Sequence, residues 1–536
     1  MIHTYLVAGI LGVLGVLILV MLGQKLKIAY PIFLVIAGLI ISFIPGAPRF
    51  VIDPDLVFLI FLPPILFEAA WYTSWKNFWK FKKTIFSMAI GLVLITSTVV
   101  ALISNALIPG MTLALGFLLG GINSPPDAVA ATSVLKHMKL PKKITAILEG
   151  ESLINDASSL IVFKFALAAV LTGHFILKEA AVDFFLIAGM GVVIGLAVGW
   201  LFSWILRWLP SNSNIDTVFT IVIPYAIYIV AEHFHFSGVM AVVSAGLLMS
   251  YNANCFLSHT TRIQANSVWN TLIFGMNAAI FVIIGLELPI VIEGMTNHSI
   301  TDAILYSLII GGAIILTRFV WCYFIAFVPI LFGFRKSKDR IKPSWQESFV
   351  LSISAMRGVV SLASALAIPF LMTDASDFPL RNIILFITFS IIIITLVGQG
   401  LLLPFILKWI KIKSIDEGMP REKQEALIAK RIKNKALETI SSQYENEISE
   451  NRLVNHLKLK LESEVTLLNE KMECIVTSDK HKEAYETSRT VYRSILNTQR
   501  NELRAIRKEQ NFEDDVLRNL EMQLDLEEAK ITGFNH

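Results

Sequence analysis

Charge is scarce in this chain. Only 16% of its 536 residues are Asp, Glu, Lys or Arg, where soluble domains carry about a quarter. With 55% hydrophobic residues and a mean hydropathy of +0.65, that scarcity excludes a soluble globular protein and points to a polytopic membrane protein. Cysteine is nearly missing too. Cys255, Cys322 and Cys474 stand apart without metal-ligand spacing, which excludes a disulfide scaffold and a zinc site. A net charge of +4 offers no basic surplus for nucleic acid. Met1 to Leu22 lacks a basic leader and an A-x-A cleavage word, so it reads as a first membrane helix, not a signal peptide. No glycine-rich nucleotide word occurs after residue 410, and no cofactor is expected anywhere.

What the chain does have is long apolar runs. A bilayer crossing takes about twenty such residues. Runs of that kind fall at 4–22, 29–45, 55–72, 84–108, 112–134, 146–172, 180–207, 216–233, 236–251, 267–290, 300–332, 346–372 and 380–409, thirteen in all. With the amino terminus outside, the inner loops hold seventeen cations, among them Lys27, Lys76, Lys80, Lys82, Lys83, Lys136, Lys139, Lys143, Arg335, Lys336, Lys338, Arg340 and Lys342. The outer loops hold Arg49, Lys178 and Arg381. That asymmetry follows the positive-inside rule and puts the carboxyl terminus in the cytoplasm. The domain expectation is a membrane part over 1–410 and a helical cytoplasmic tail over 411–536. From Lys411 onward lie 22 of the 46 basic and 24 of the 42 acidic residues. Leu453, Leu457, Leu461, Val465 and Leu468 recur there at helical spacing, which suits a tail that packs on itself, on a second tail or on a regulator.

The chemistry is concentrated between Leu119 and Phe165, where an apolar stretch carries Asp127, Glu149, Glu151, Asp156 and Lys164. Carboxylates at membrane depth are costly and mark ion or proton paths. Gly120-Gly121 and Ser124-Pro125-Pro126 interrupt the helix just before Asp127. Proline removes a backbone donor, and the unwound segment exposes carbonyls that suit a dehydrated cation. Glu149, Ser152 and Asp156 are three and four residues apart and share one helix face; Glu151 and Asn155 form the neighbouring strip. Oxygen ligands suit hard monovalent cations, and a proton competes for the same carboxylate. Antiport follows when such a site opens to one face of the membrane at a time. Asn155 cannot titrate, so a single exchanging aspartate predicts one proton per cation and an electroneutral cycle.

A counterpart lies in the second half. Residues 346–372 place Arg357 beside Gly358 in a Ser- and Ala-rich stretch, and small residues let helices approach closely in lipid. The two interrupted spans, fifth and twelfth, would correspond if two six-span units were related by inverted topology behind one leading helix. Lys164 reads as snorkelling to the outer interface, or as a group that titrates and alters the proton count. Arg318, mid-span, reads as bonding the carbonyls of an interrupted helix. Glu149 reads as a funnel charge near the inner surface, Glu68 as a vestibule charge, and His233 and His235 as surface histidines.

The words FLPPILFEAA, GGINSPPDAVAAT, EGESLINDASSL and SAMRGVVSLASALAIP resemble those of the cation/proton antiporter-1 family, over residues 1–410. The resemblance implies a dimerising half and a core half, two unwound helices crossing in the core, a homodimer, and exchange of Na⁺ for H⁺. It implies that Asp156 holds either cation or proton, that Asp127 and Ser152 line the same site, that Glu151 pairs with Arg357, and that Glu68 sits near the entrance. The usual Thr-Asp-Pro is replaced by Pro126-Asp127-Ala128, so Ser124 or a backbone carbonyl takes the threonine's place.

The fold expectation is therefore an all-α polytopic membrane protein with a helical tail. The functional expectation is exchange of Na⁺, or of Li⁺, for H⁺ across the plasma membrane in support of pH homeostasis. K⁺/H⁺ exchange is the alternative within that class. An intramembrane aspartyl protease would need a Gly-x-Gly-Asp word, which is missing. A cation channel would need repeated filter or ring elements, and nothing here repeats.

Overall fold

The structure is a computed structural model that describes residues 2–26, 30–42, 54–127, 141–173, 177–295, 299–331, 344–372, 376–410, 421–476, 479–509 and 514–532. The chain forms two compact units, Met1–Ser414 and Ile415–His536. Among the described residues there is no strand, only the isolated bridges Asp127 with Met356 and Leu371 with Asp377.

The membrane unit is built from α1 (Ile2–Leu26), α2 (Tyr30–Ser42), α3 (Pro54–Tyr72), α4 (Trp75–Phe86), α5 (Val93–Leu107), α6 (Leu113–Asn123), α7 (Lys142–Thr172), α8 (Leu177–Trp208), α9 (Ser213–His233), α10 (Gly238–Phe256), α11 (His259–Glu293), α12 (Ile300–Leu331), α13 (Trp345–Ile353), α14 (Val359–Leu366), α15 (Arg381–Ile393) and α16 (Gly400–Ile410). A π turn over Ser87–Leu92 joins α4 to α5, and another over Ile394–Gln399 joins α15 to α16. Among the described residues, eight helical runs are long and apolar enough to cross a membrane, and four shorter apolar helices accompany them. The expected span 84–108 begins earlier, at Trp75, because an amphipathic helical start precedes the apolar stretch. The expected span 346–372 is two short helices with a break between them. Of the expected span 112–134, the part beyond Asp127 lies outside the described residues, as do Lys27, Arg49, Lys136, Lys139, Arg335, Lys336, Lys338, Arg340 and Lys342.

Helix ends follow local chemistry. The Thr112 hydroxyl accepts from Leu115 N, Asn212 Oδ1 from Ile215 N and the Ser237 hydroxyl from Met240 N, each satisfying an amide that the first turn leaves unpaired. α7 stops where Gly173 turns left-handed, at φ 73°.

The helices sort into two bundles. In one, α2, α3, α8, α9, α10 and α11 pack chiefly on one another; in the other, α4 to α7 pack with α12 to α16. α2 and α11 cross closely enough that a Cβ on Gly38 would lie 2.4 Å from Val282 O, and one on Gly285 2.4 Å from Leu39 N. Backbone-to-backbone contact of this kind replaces the hydrophobic drive that lipid cannot supply. The bundles meet where α3 faces α14, α10 faces α7 and α11 faces α15.

The tail unit comprises α17 (Arg421–Gln443), α18 (Glu445–Glu450), α19 (Arg452–Val476), α20 (Asp479–Glu509) and α21 (Asp514–Thr532). α17 packs on α19, helped by Lys433 bonding Glu464; α20 packs on α21, where Arg500 bonds Asp525 and Glu528. The apolar stripe of α19 is only partly used: Leu453 and Leu457 are exposed, while Leu461, Val465 and Leu468 are half-buried.

Candidate functional site

α6 runs out at Asn123; Ser124 caps it in a helical conformation, and the chain then leaves the helix through Pro125 and Pro126 to Asp127. There the Asp127 amide donates to Met356 O at 2.7 Å, so the first interrupted segment bridges the break between α13 and α14. Gly358 makes the approach possible. A Cβ on it would fall 1.8 Å from Asp127 Oδ2, so any other residue would displace that carboxylate from the start of α14.

α7 lies against this crossing. The Asn155 amide donates to Pro126 O at 3.2 Å, tying the unwound segment to the helix, and its Oδ1 is buried with no hydrogen-bond partner among the described residues. Asp156, next along, is 7% exposed and within electrostatic reach of Asp127. Ser152 is half-buried one turn earlier on the same helix. Ser124 is buried, and its hydroxyl donates to Gly121 O at 3.2 Å, capping the end of α6. Among the described residues, the Ser354 and Ser361 hydroxyls, Asn123 Oδ1 and Gln399 Oε1, like Asn155 Oδ1, are buried without a hydrogen-bond partner on the elements that meet here. The crossing is thus buried and rich in oxygen.

The expected pair of Glu151 with Arg357 does not form. Glu151 is held bidentately by Arg318, Nη1 to Oε1 at 2.5 Å and Nη2 to Oε2 at 2.9 Å, with both side chains 1% exposed. Arg318 Nε also donates to Leu351 O at 3.1 Å, in the last turn of α13. Arg357 instead donates from Nε to Asn123 O at 3.1 Å and from Nη1 to Ala355 O at 2.9 Å, while its amide donates to Thr395 Oγ1 at 3.1 Å. The reason lies in the breaks. Each leaves carbonyls without helical partners, and the guanidinium inside the second break is the nearest charged donor to both. Arg318, on an unbroken helix, is left to face Glu151.

At the lysine-rich end of α7, a cavity of about 220 Å³ is lined by Thr73, Ser74, Asn77, Phe78, Thr145, Ala146 and Glu149. Glu68, half-buried on α3 behind Pro63-Pro64, lies within electrostatic reach of Glu149 and of Tyr30 and Tyr72. At the other end, Lys164 is exposed and bonds both oxygens of Glu232, at 2.8 and 2.9 Å, linking α7 to α9. Glu232 Oε1 also accepts from Gly238 N at 3.2 Å, and His233 and His235 lie exposed beside it. Lys164 therefore reaches the surface, but as half of a bridge between the bundles.

Sequence reasoning missed Tyr30, Asn123, Thr388 and Thr395. Asn123 Nδ2 bonds Thr388 Oγ1 at 3.0 Å, and Thr395 receives the Arg357 amide. None carries charge or breaks a helix, so nothing local marked them. Among the described residues no three His, Cys, Asp or Glu side chains are grouped to hold a resident metal.

A profile described as "Sodium/hydrogen exchanger, transmembrane" matches residues 12–409. The "Sodium, potassium, lithium and rubidium/H(+) antiporter" of Bacillus subtilis is 34% identical over 388 residues, 71% of this chain, and the match spans 58% of that relative's length. The "Uncharacterized Na(+)/H(+) exchanger YjcE" of Escherichia coli is 28% identical over 536 residues, 95% of each chain. Among solved structures, the sodium proton antiporter MjNhaP1 of Methanocaldococcus jannaschii superposes with a TM-score of 0.58 at 19% identity, over 76% of this chain and all of that one, and so shares its fold.

Proposed function

The chain belongs to the sodium/hydrogen exchanger family, a family of transporters and not of enzymes, and on that premise we propose that it exchanges Na⁺ or Li⁺ for H⁺ at a single carboxylate, Asp156. The observation that carries the proposal is the placement of Asp156. It is buried, it follows an asparagine tied to the unwound segment, and it lies within electrostatic reach of Asp127 at the crossing.

A charge count supports a one-for-one cycle. Glu151 and Arg318 cancel within their pair. Arg357 then brings one positive charge to the crossing against the two aspartates, Asp127 and Asp156, which leaves one net negative charge. Either one proton or one monovalent cation neutralises it, and the buried crossing disfavours any other occupancy. Asn155 fixes the site without adding a titrating group. The cation would be held by Asp156 and Asp127, with Ser152, Ser124 or a carbonyl of the unwound segment completing the set. It would arrive through the cavity at Glu149, past Glu68. Because proton and cation compete, the apparent KM for Na⁺ rises as pH falls. Alternating access then requires the two bundles to shift against each other around the crossing.

K⁺/H⁺ exchange is the second reading, favoured by the Pro126-Asp127-Ala128 departure and by the potassium in the printed name of the Bacillus relative. Family likeness further supports a homodimer in the plasma membrane, with the lysine-rich end and the tail in the cytoplasm, free to bind itself or a regulator. The test is proton flux in proteoliposomes on adding Na⁺, Li⁺ or K⁺ in turn, with and without a clamped voltage. Saturable, cation-dependent flux indifferent to voltage is expected. Flux that follows voltage contradicts the one-for-one count, and cation conduction without counter-moving protons contradicts antiport.

A further inference from the structure

α4 carries the sequence WKNFWKFKKTIF, with four lysines and no acid. Its buried side is set by Phe78 and Ile85, which pack with Ala89 and with Ile154 of α7. Its exposed side is not polar in the ordinary way. Trp75, Trp79 and Phe86 are 38%, 47% and 44% exposed and, at 100° per residue, fall in one stripe. Lys83, Lys76 and Lys80 flank one edge of that stripe and Lys82 the other. Lys82 Nζ lies 4.6 Å from the Trp79 ring centre and Lys80 Nζ 5.3 Å from that of Phe81. Among the described residues no carboxylate pairs with any of the four lysines.

Exposed indole rings bordered by unpaired ammonium groups, on a helix entering the membrane, match the zone where acyl chains give way to headgroups. Lysines clustered there attract anionic lipid. We propose that this face of α4 binds an anionic phospholipid, its headgroup phosphate held by the lysines that flank the stripe, Lys76, Lys80 and Lys83 on one edge or Lys82 on the other, with Trp75 and Trp79 at headgroup level and the upper acyl chain running inward past Phe86. The bound lipid supports exchange by seating α4 on α7. The opposite side of α4 supplies Ser74, Asn77 and Phe78 to the cavity that Glu149 lines, and Ile85 touches the backbone at Gly150 closely enough to leave no room for a Cβ. Both contacts lie within two turns of Asp156. The effect on rate rests on the exchange reading above; the binding does not.

Delipidated full-length protein in a neutral detergent, titrated with phosphatidylglycerol or phosphatidylethanolamine, is read by native mass spectrometry. Wild type should retain phosphatidylglycerol preferentially, and choline chloride should weaken that retention. K76Q/K80Q/K82Q/K83Q should lose about fivefold in affinity for each lysine that contacts the headgroup, whereas the same four positions as Arg should bind as wild type does. Equal retention of the two lipids by wild type, or undiminished retention by the Gln variant, overturns the binding surface. In vesicles, phosphatidylglycerol should speed exchange by wild type and by the Arg variant, and leave the Gln variant at its rate in phosphatidylcholine alone. A wild-type rate indifferent to phosphatidylglycerol, with binding intact, overturns the coupling. Absence of exchange in every lipid, with binding intact, would strike the transport reading and leave this surface standing.

Discussion

The pairing of Glu151 with Arg318 decides how the buried charges are shared, and its two contacts are testable one residue at a time. Breaking a buried pair leaves an uncompensated charge, at a cost of about 3–5 kcal/mol, so Glu151→Ala and Arg318→Ala should each lower the melting temperature sharply in detergent. Arg357→Ala removes donors from two carbonyls and should cost less, on the order of 1–3 kcal/mol. A double-mutant cycle separates the alternatives. Glu151 should couple more strongly to Arg318 than to Arg357; stronger coupling to Arg357 would restore the pairing that the family resemblance implied. That suggestion went astray for a physical reason. Charge and spacing reveal that a buried carboxylate needs a cation, but 167 residues separate the true partners, and either arginine would serve. By contrast the burial of Asn155 and Asp156 beside the first break was legible, because they stand next to each other deep in an apolar helix.

At the scale of elements, the account depends on two broken helices meeting through main chain. The first break was readable from Gly120-Gly121 and Ser124-Pro125-Pro126 taken together; a proline pair alone does not decide it, since Pro63-Pro64 lie within the unbroken α3. The second was only hinted at by Gly358 and the small residues around it, since glycine and serine also occur in unbroken membrane helices. The main-chain bridge from Asp127 to Met356 and the support of Arg357 by Thr395 were not legible at all, for hydrogen bonds between distant segments leave no local pattern. Gly358→Ala tests the crossing. Its new methyl must push the Asp127 carboxylate aside, so apparent Na⁺ affinity should fall about tenfold, roughly what losing one charge-assisted contact costs, while the melting temperature changes little. An unaltered KM would show that Asp127 is not a ligand in its observed place.

For the whole molecule, the informative contrast is between the ends of α7: an open cavity beside Glu149, and a bridge from Lys164 to Glu232 that ties the two bundles together. Runs of apolar residues foretold many of the helices, but not this division into bundles, which arises from packing surfaces on both partners. Exposed ion pairs contribute about 0–1 kcal/mol, so Lys164→Gln should alter the turnover rate by no more than about fivefold and leave exchange indifferent to voltage. Voltage-dependent exchange in that variant would mean that Lys164 titrates during the cycle. The central claim is that one carboxylate trades a proton for an alkali cation, and isotopic sodium self-exchange tests it most directly because no proton need move. Wild-type protein in vesicles should exchange radioactive for unlabelled Na⁺ across the membrane, and a folded Asp156→Asn variant should not. Self-exchange at the wild-type rate in Asp156→Asn would contradict the account outright.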